Sequence, residues 1–223
     1  MKLNYKKSHT RRDRLHGFSL LELLIVLFVV MVIAAIVIPN VLLAVSNMRL
    51  RASAGDLAGL MQEARILAAK NNTNYAVLYA TQNGRQIAFV DLNGDGVWEN
   101  NVTLTIGGRS VTMAEPMIAF SGSTMAASGA PSGSGQPTPY VLAGDSGNGA
   151  YDNTYTLGYT SRGLPCNFDT TTTPPTCTTP PTKYFVYYIS STRIGAGGSG
   201  WAAVVVTKGG RTKIVTWNGS SWN

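Results

Sequence analysis

Between Leu23 and Pro39 the chain reads LLIVLFVVMVIAAIVIP, with no charged residue, and the apolar run resumes through Val45. No other stretch limits the possible folds as much. A helix from Phe18 to Val45 would be about 42 Å long, enough to cross a hydrocarbon core of roughly 30 Å, so the run predicts a membrane span. An ordinary secretory signal carries its small-residue cleavage site after the apolar region. Here the small residue, Gly17, stands in front of it, so the span is expected to stay with the mature protein. One carboxylate, Glu22, sits at the head of the run, where a charge costs less than the ~2.5–3.5 kcal/mol it would cost at mid-membrane but still calls for a partner. The nearest available cation is the α-amine that a cut between Gly17 and Phe18 would release, on the same chain or on a neighbouring subunit.

Basic leader, Gly17, Phe18 and Glu22 together resemble the class III signal of type IV pilins and type II secretion pseudopilins, with Gly before the cut, Phe after it and Glu fifth in the mature chain. The resemblance implies cleavage between Gly17 and Phe18 by a prepilin peptidase that also methylates the new amino terminus. It implies assembly through Glu22, and a helix that can bend or melt at Pro39. The implied partners are the peptidase, other pilins or pseudopilins in a filament, and an inner-membrane assembly platform. A plain single-pass anchor with an incidental Glu is the alternative.

The formal charge of +7 belongs mostly to the leader, where Lys2, Lys6, Lys7, Arg11, Arg12 and Arg14 stand against Asp13. Only about +2 is left for residues 18–223. Lys and Arg ahead of a span hold that end in the cytoplasm, so the sequence predicts a single-pass inner-membrane protein with a periplasmic C-terminal domain. Arg49 and Arg51 pull the other way, more weakly. Cys166 and Cys177, the only cysteines, fall in the exported part and flank a Thr/Pro-rich segment, so a disulfide is expected. It would contribute about 3 kcal/mol in the chain-entropy model. A metal-binding or reactive pair would want CxxC spacing or a nearby histidine, and neither is present.

After the span an amphipathic helix continues over 46–70, its stripe Leu50, Ala54, Leu57, Met61, Ala64 and Ala68 recurring at three- and four-residue steps. Pro39 removes a backbone donor and is expected to kink or loosen the helix locally. Asn71 to Asn74 end it. From there to residue 223 the chain is expected to be β-rich, with strands Tyr75–Thr81, Arg85–Leu92, Val102–Ile106, Arg109–Met113, Tyr155–Thr160, Tyr184–Ser190, Trp201–Thr207 and Arg211–Trp217. Asn83-Gly84, Gly107-Gly108 and Gly209-Gly210 mark hairpin turns. Ser121–Pro139 reads as a mobile loop and Gly144–Thr154 as an irregular run. The fold class is therefore α+β: a leader over 1–17, a span over 18–45, an amphipathic continuation over 46–70, and an antiparallel β-domain over 71–223. LMQEARILAAKNNTNYAVLY, FVDLNGDG, TLGYTSRGLP and WAAVVVTKGGRTKIV resemble the GspH/FimT branch of pilin-like proteins, which implies a minor filament subunit.

Asp91-x-Asn93-x-Asp95-Gly96, with Glu99 at the ninth position, matches the first half of a calcium loop, but the twelfth position is Val102. An Asn/Asp/Gly turn is the commoner meaning of such a stretch. Gly144-Asp145-Ser146-Gly147 resembles a serine-protease nucleophile segment, yet both histidines, His9 and His16, lie in the leader, which leaves no histidine base or ligand in the mature domain. Gly195 to Gly200 matches GxGxxG literally but precedes a strand pattern, so it reads as a glycine loop. Lys208, Arg211 and Lys213, with Arg193 and Arg162 as further candidates, form a basic C-terminal group that could meet phosphates. Gly210-Arg211-Thr212-Lys213 keeps one arginine of the Gly-Arg-x-Arg motif that the FimT side of the family uses on DNA. The sequence therefore predicts a non-enzymatic filament subunit with no cofactor, and, as the alternative, a DNA-binding minor pilin.

Overall fold

The computed structural model describes residues 19–121, 123–125, 131, 136–143, 150–151, 156–169, 176–179, 181, 183–191 and 200–223. The chain divides into two compact units, residues 1–42 and 43–223. Helix α1 (Leu20–Asn71) supplies the described part of the first unit and opens the second. It is long and apolar enough to cross a membrane. In the first unit its apolar side chains, from Leu20 to Leu42, are exposed throughout, with only Ala34 partly covered. The helix continues through Pro39, where the sequence predicts a kink or loosening, without a break in its assignment. The missing N–H at Pro39 leaves the preceding turn one donor short. Next to it, the Asn40 side chain donates to the Ile36 carbonyl at 3.1 Å.

In the second unit the amphipathic stripe is covered. Leu50, Ala54, Leu57, Met61, Ala64 and Ala68 are all buried, joined by Leu60 and by Ser46 and Ser53. The helix stops at Asn71 because Asn72 turns left-handed (φ 53°), which lets the Thr73 N–H reach back to the Ala68 carbonyl at 3.1 Å. Asparagine is one of the few residues other than glycine that tolerates that conformation at a helix end.

The strands are β1 (Tyr75–Gln82), β2 (Arg85–Asp91), β3 (Val102–Ile106), β4 (Arg109–Met113), β5 (Met117–Ala119), β6 (Ser123–Met125), β7 (Ala150–Tyr151), β8 (Leu157–Tyr159), β9 (Pro165–Asp169), β10 (Thr176–Thr178), β11 (Tyr184–Ser191), β12 (Trp201–Val206) and β13 (Thr212–Thr216). One sheet runs β10-β9-β8-β1-β2-β5 and a second β13-β12-β11-β6, while among the described residues β3 and β4 pair only with each other. All pairings are antiparallel except that of β7, which lies parallel to β11. Asn83 and Gly84 both adopt positive φ, as a two-residue hairpin of this kind requires.

Strand alternation divides the side chains between two faces. Tyr75 and Val77 of β1, Phe185, Tyr187 and Ile189 of β11, and Ala202, Val204 and Val206 of β12 meet the helix stripe in the main core. Ala76 and Leu78 face the other way, onto Cys166 and Phe168. Tyr184, Val186 and Tyr188 face a second core with Tyr140, Trp201 and Trp217. The chain end closes that core: Trp217 and Trp222 form a bridge, and the Trp222 ring packs on Tyr140, Tyr188 and Trp217.

Three stretches depart from the sequence expectation. Within Ser121–Pro139, residues 123–125 form β6 rather than loop: Ser123 and Met125 are buried, and the Ser123 hydroxyl donates to Ser53 at 2.7 Å. Within Gly144–Thr154, Ala150 and Tyr151 pair with β11, and residues 144–149 and 152–154 lie outside the described residues. Met117–Ala119, where the sequence suggests no strand, pairs with β2 as β5. The cysteines that flank the Thr/Pro-rich segment sit on paired strands, Cys177 opposite Phe168. Strands of two or three residues show too few side chains to reveal a period, so the sequence hides them.

Candidate functional site

At the head of the chain, Gly17 and Phe18 lie outside the described residues. The helix begins with Leu23 N–H bonded to the Ser19 carbonyl at 3.1 Å, and Glu22 falls in its first turn. Ser19-Leu20-Leu21-Glu22 has the spacing of a capping box, but no hydrogen bond from the Glu22 side chain closes one among the described residues. Glu22 has no hydrogen-bond or ion-pair partner among the described residues, so nothing in them neutralises its charge.

The acidic stretch is organised as a turn. Asp91 is buried, and its two carboxylate oxygens accept the Gly94 and Gly96 N–H groups at 2.6 and 3.0 Å. The Asn93 amide donates to Asp95 and Glu99 at 2.8 and 3.1 Å, which puts N–H donors where a cation would need oxygens. Glu115, absent from the sequence reading, is buried and closes the loop by accepting Leu92 N–H at 2.8 Å and Glu99 N–H at 2.9 Å. Burial raises the Asp91 and Glu115 pKa values from those of ordinary carboxylates, against the lowering effect of the N–H groups each accepts. Among the described residues no group of three or more His, Cys, Asp or Glu is placed to hold a metal.

Cys166 and Cys177 are joined by a disulfide, with their Cα atoms 5.4 Å apart. Cys166 is fully buried, and with Phe168 it packs directly over Gly158. A Cβ at Gly158 would come within 2.5 Å of the Phe168 ring.

The basic residues are arranged around one that the sequence reading passed over. Arg65, half-buried at the edge of the helix stripe between Met61 and Ala68, donates to the Gly210 carbonyl at 3.2 Å, and Gln62 donates to Thr212 at 2.6 Å. The turns at 160–164 and 207–211 both close on the Arg65 side chain. Gly163 and Gly210 are left-handed there (φ 70° and 80°), and a Cβ on either would sit 3.3–3.4 Å from it. Arg162 and Arg211, on those turns, are exposed, as is Lys213 one residue into β13. Lys208 is half-buried and engaged in another interaction, and Arg193 lies outside the described residues, as do Gly144 to Gly147 and Gly195 to Ser199. The same arginine opposes the strong upward pKa shift that burial gives Tyr159, whose hydroxyl has no hydrogen-bond partner among the described residues.

A family model described as the prokaryotic N-terminal methylation motif matches residues 12–38. The matched stretch spans the Gly17–Phe18 junction, Glu22 and nearly all of the charge-free run. No curated protein and no solved structure matches the chain.

Proposed function

From the premise that this chain is type IV pilin-like, we propose that it is a minor, non-enzymatic filament subunit. A prepilin peptidase cuts it between Gly17 and Phe18 and methylates Phe18, after which the helix packs with those of other pilins or pseudopilins. On this reading residues 1–17 are leader, 18–45 span the inner membrane with their head in the cytoplasm, 46–70 continue the helix, and 71–223 form the periplasmic domain. An inner-membrane platform drives assembly into a type II secretion pseudopilus or a type IV pilus. The observation that carries the reading is the apolar helix surface that follows the motif: from Leu20 to Leu42 it is uncovered, and apolar area on that scale requires lipid or other helices. Mass spectrometry of filaments sheared from cells should find this chain at a small fraction of the major subunit. Its absence from them would contradict the reading.

One observation favours a second reading. Arg65 draws together the turns that carry Arg162 and Arg211, with Lys213 next to one of them, giving a basic surface that could contact DNA phosphates. Such binding should weaken steeply with salt. Replacing Arg162 and Arg211 by Glu should abolish it while leaving filament incorporation unchanged. Retention of an unchanged salt-dependent affinity by the double variant would remove this reading.

A further inference from the structure

The chain holds three Asn-x-Ser/Thr sequences, at Asn71-Asn72-Thr73, Asn101-Val102-Thr103 and Asn218-Gly219-Ser220, all within the described residues. Such a sequence serves as an acceptor for N-linked sugar only where its carboxamide is accessible. The structure separates the three. Asn71 sits at the helix end and donates to the Tyr75 hydroxyl at 2.9 Å. The Asn218 carboxamide is consumed by its own turn: its oxygen accepts the Ser220 and Ser221 N–H groups at 2.9 and 2.8 Å, and its NH₂ donates to the Ser221 hydroxyl at 3.2 Å. Asn101 is exposed, and its carboxamide has no partner among the described residues.

The fold presents that site in three ways. Glu99 is held to Glu115 through both its backbone N–H and its carbonyl, so Asn100 and Asn101 form an exposed corner between a pinned residue and β3. Alternation then turns Val102 inward, where it is buried, and leaves Asn101 and Thr103 exposed, the Thr103 hydroxyl sharing a hydrogen bond at the surface with Thr112 at 3.1 Å. Finally, among the described residues β3 and β4 hydrogen-bond only to each other, so no further sheet ladder covers the edge of β3 beside the site.

We propose that Asn101 is an acceptor site for an N-linked oligosaccharide, delivered from a lipid-pyrophosphate carrier by a membrane oligosaccharyltransferase. In that step the carboxamide nitrogen attacks the anomeric carbon. The C–N bond forms as the bond from that carbon to the pyrophosphate oxygen breaks, its electron pair leaves with the lipid pyrophosphate, and one amide proton passes to a base of the transferase. Glu99, two residues ahead, offers a carboxylate to a basic group of that enzyme. In cells the inference rests on the reading that this domain is translocated, so its test has two arms.

In the first arm, the purified full chain in detergent is incubated with a purified bacterial oligosaccharyltransferase and a lipid-pyrophosphate-linked oligosaccharide, and digested for peptide mass spectrometry. The peptide carrying Asn101 should gain the oligosaccharide mass, while those carrying Asn71 and Asn218 should not. Asn101→Gln and Thr103→Val should lose the modification and Thr103→Ser should keep it, with the disulfide intact in every variant. No transfer to Asn101, or equal transfer to Asn218, overturns the proposal. In the second arm the same enzyme and carrier are supplied in cells. Transfer there supports the site, whereas transfer in detergent but not in cells leaves the site standing and contradicts the translocation reading.

Discussion

Alanine at position 22 should leave the chain in the membrane and remove it from filaments. The carboxylate lies in the first turn of an apolar helix and has no partner among the described residues, so in lipid it carries a desolvation cost that a neighbouring subunit's Phe18 amine would offset. Removing it lowers the barrier to insertion, on scales where a central acid costs about 2.5–3.5 kcal/mol, and membrane levels should match or exceed wild type. Ser19 and Glu22 also have capping-box spacing, and Glu22→Gln isolates the charge because it keeps a hydrogen-bonding side chain of the same length and loses only the charge. Both variants should be absent from sheared filaments. Wild-type incorporation of either one would remove the pairing argument.

Serine at both 166 and 177 should have the largest effect on stability. Opening a disulfide across 11 residues restores chain entropy worth about 3 kcal/mol to the unfolded state. For a domain of this size that corresponds to a fall in melting temperature of roughly 6–12 °C. Cys166 is fully buried under Phe168 and against Gly158, so a serine hydroxyl there adds a desolvation cost and pushes the change toward the upper end. The helical circular dichroism signal should be unchanged below the transition. Thiol labelling of the unreduced, denatured wild-type chain gives the direct check, and two reactive thiols per chain would show that no bridge forms.

The parts of this fold that were legible in the sequence are those where a period runs long enough to be read. The helix stripe from Leu50 to Ala68 repeats over five turns, and the strands around Asn83-Gly84 and Gly209-Gly210 are β-rich runs of five or more residues set between strong turn signals. β6 and β7 escaped because two or three residues carry no period, and their burial depends on partners such as Ser53 and Phe185 that are distant in the chain. Glu115 escaped for the same reason, since the loop it closes lies 16 to 23 residues earlier. Arg65 reads in sequence as a polar helix position, and only the folded turns at 160–164 and 207–211 place it at the centre of a basic surface. The head of the chain was legible in another way. The methylation motif matched over residues 12–38 takes in Gly17, Phe18 and Glu22, and on the proposed reading these act on the peptidase and neighbouring subunits, so their meaning lies in their spacing along the chain and does not wait on the fold of the domain that follows.

The amino terminus of the protein extracted from membranes tests the central claim most directly. In cells with an active prepilin peptidase, mass spectrometry should find a chain that begins at Phe18 and carries a methyl group on its α-amine, with residues 1–17 gone. A chain that still begins at Met1 or Lys2 in such cells would contradict the account.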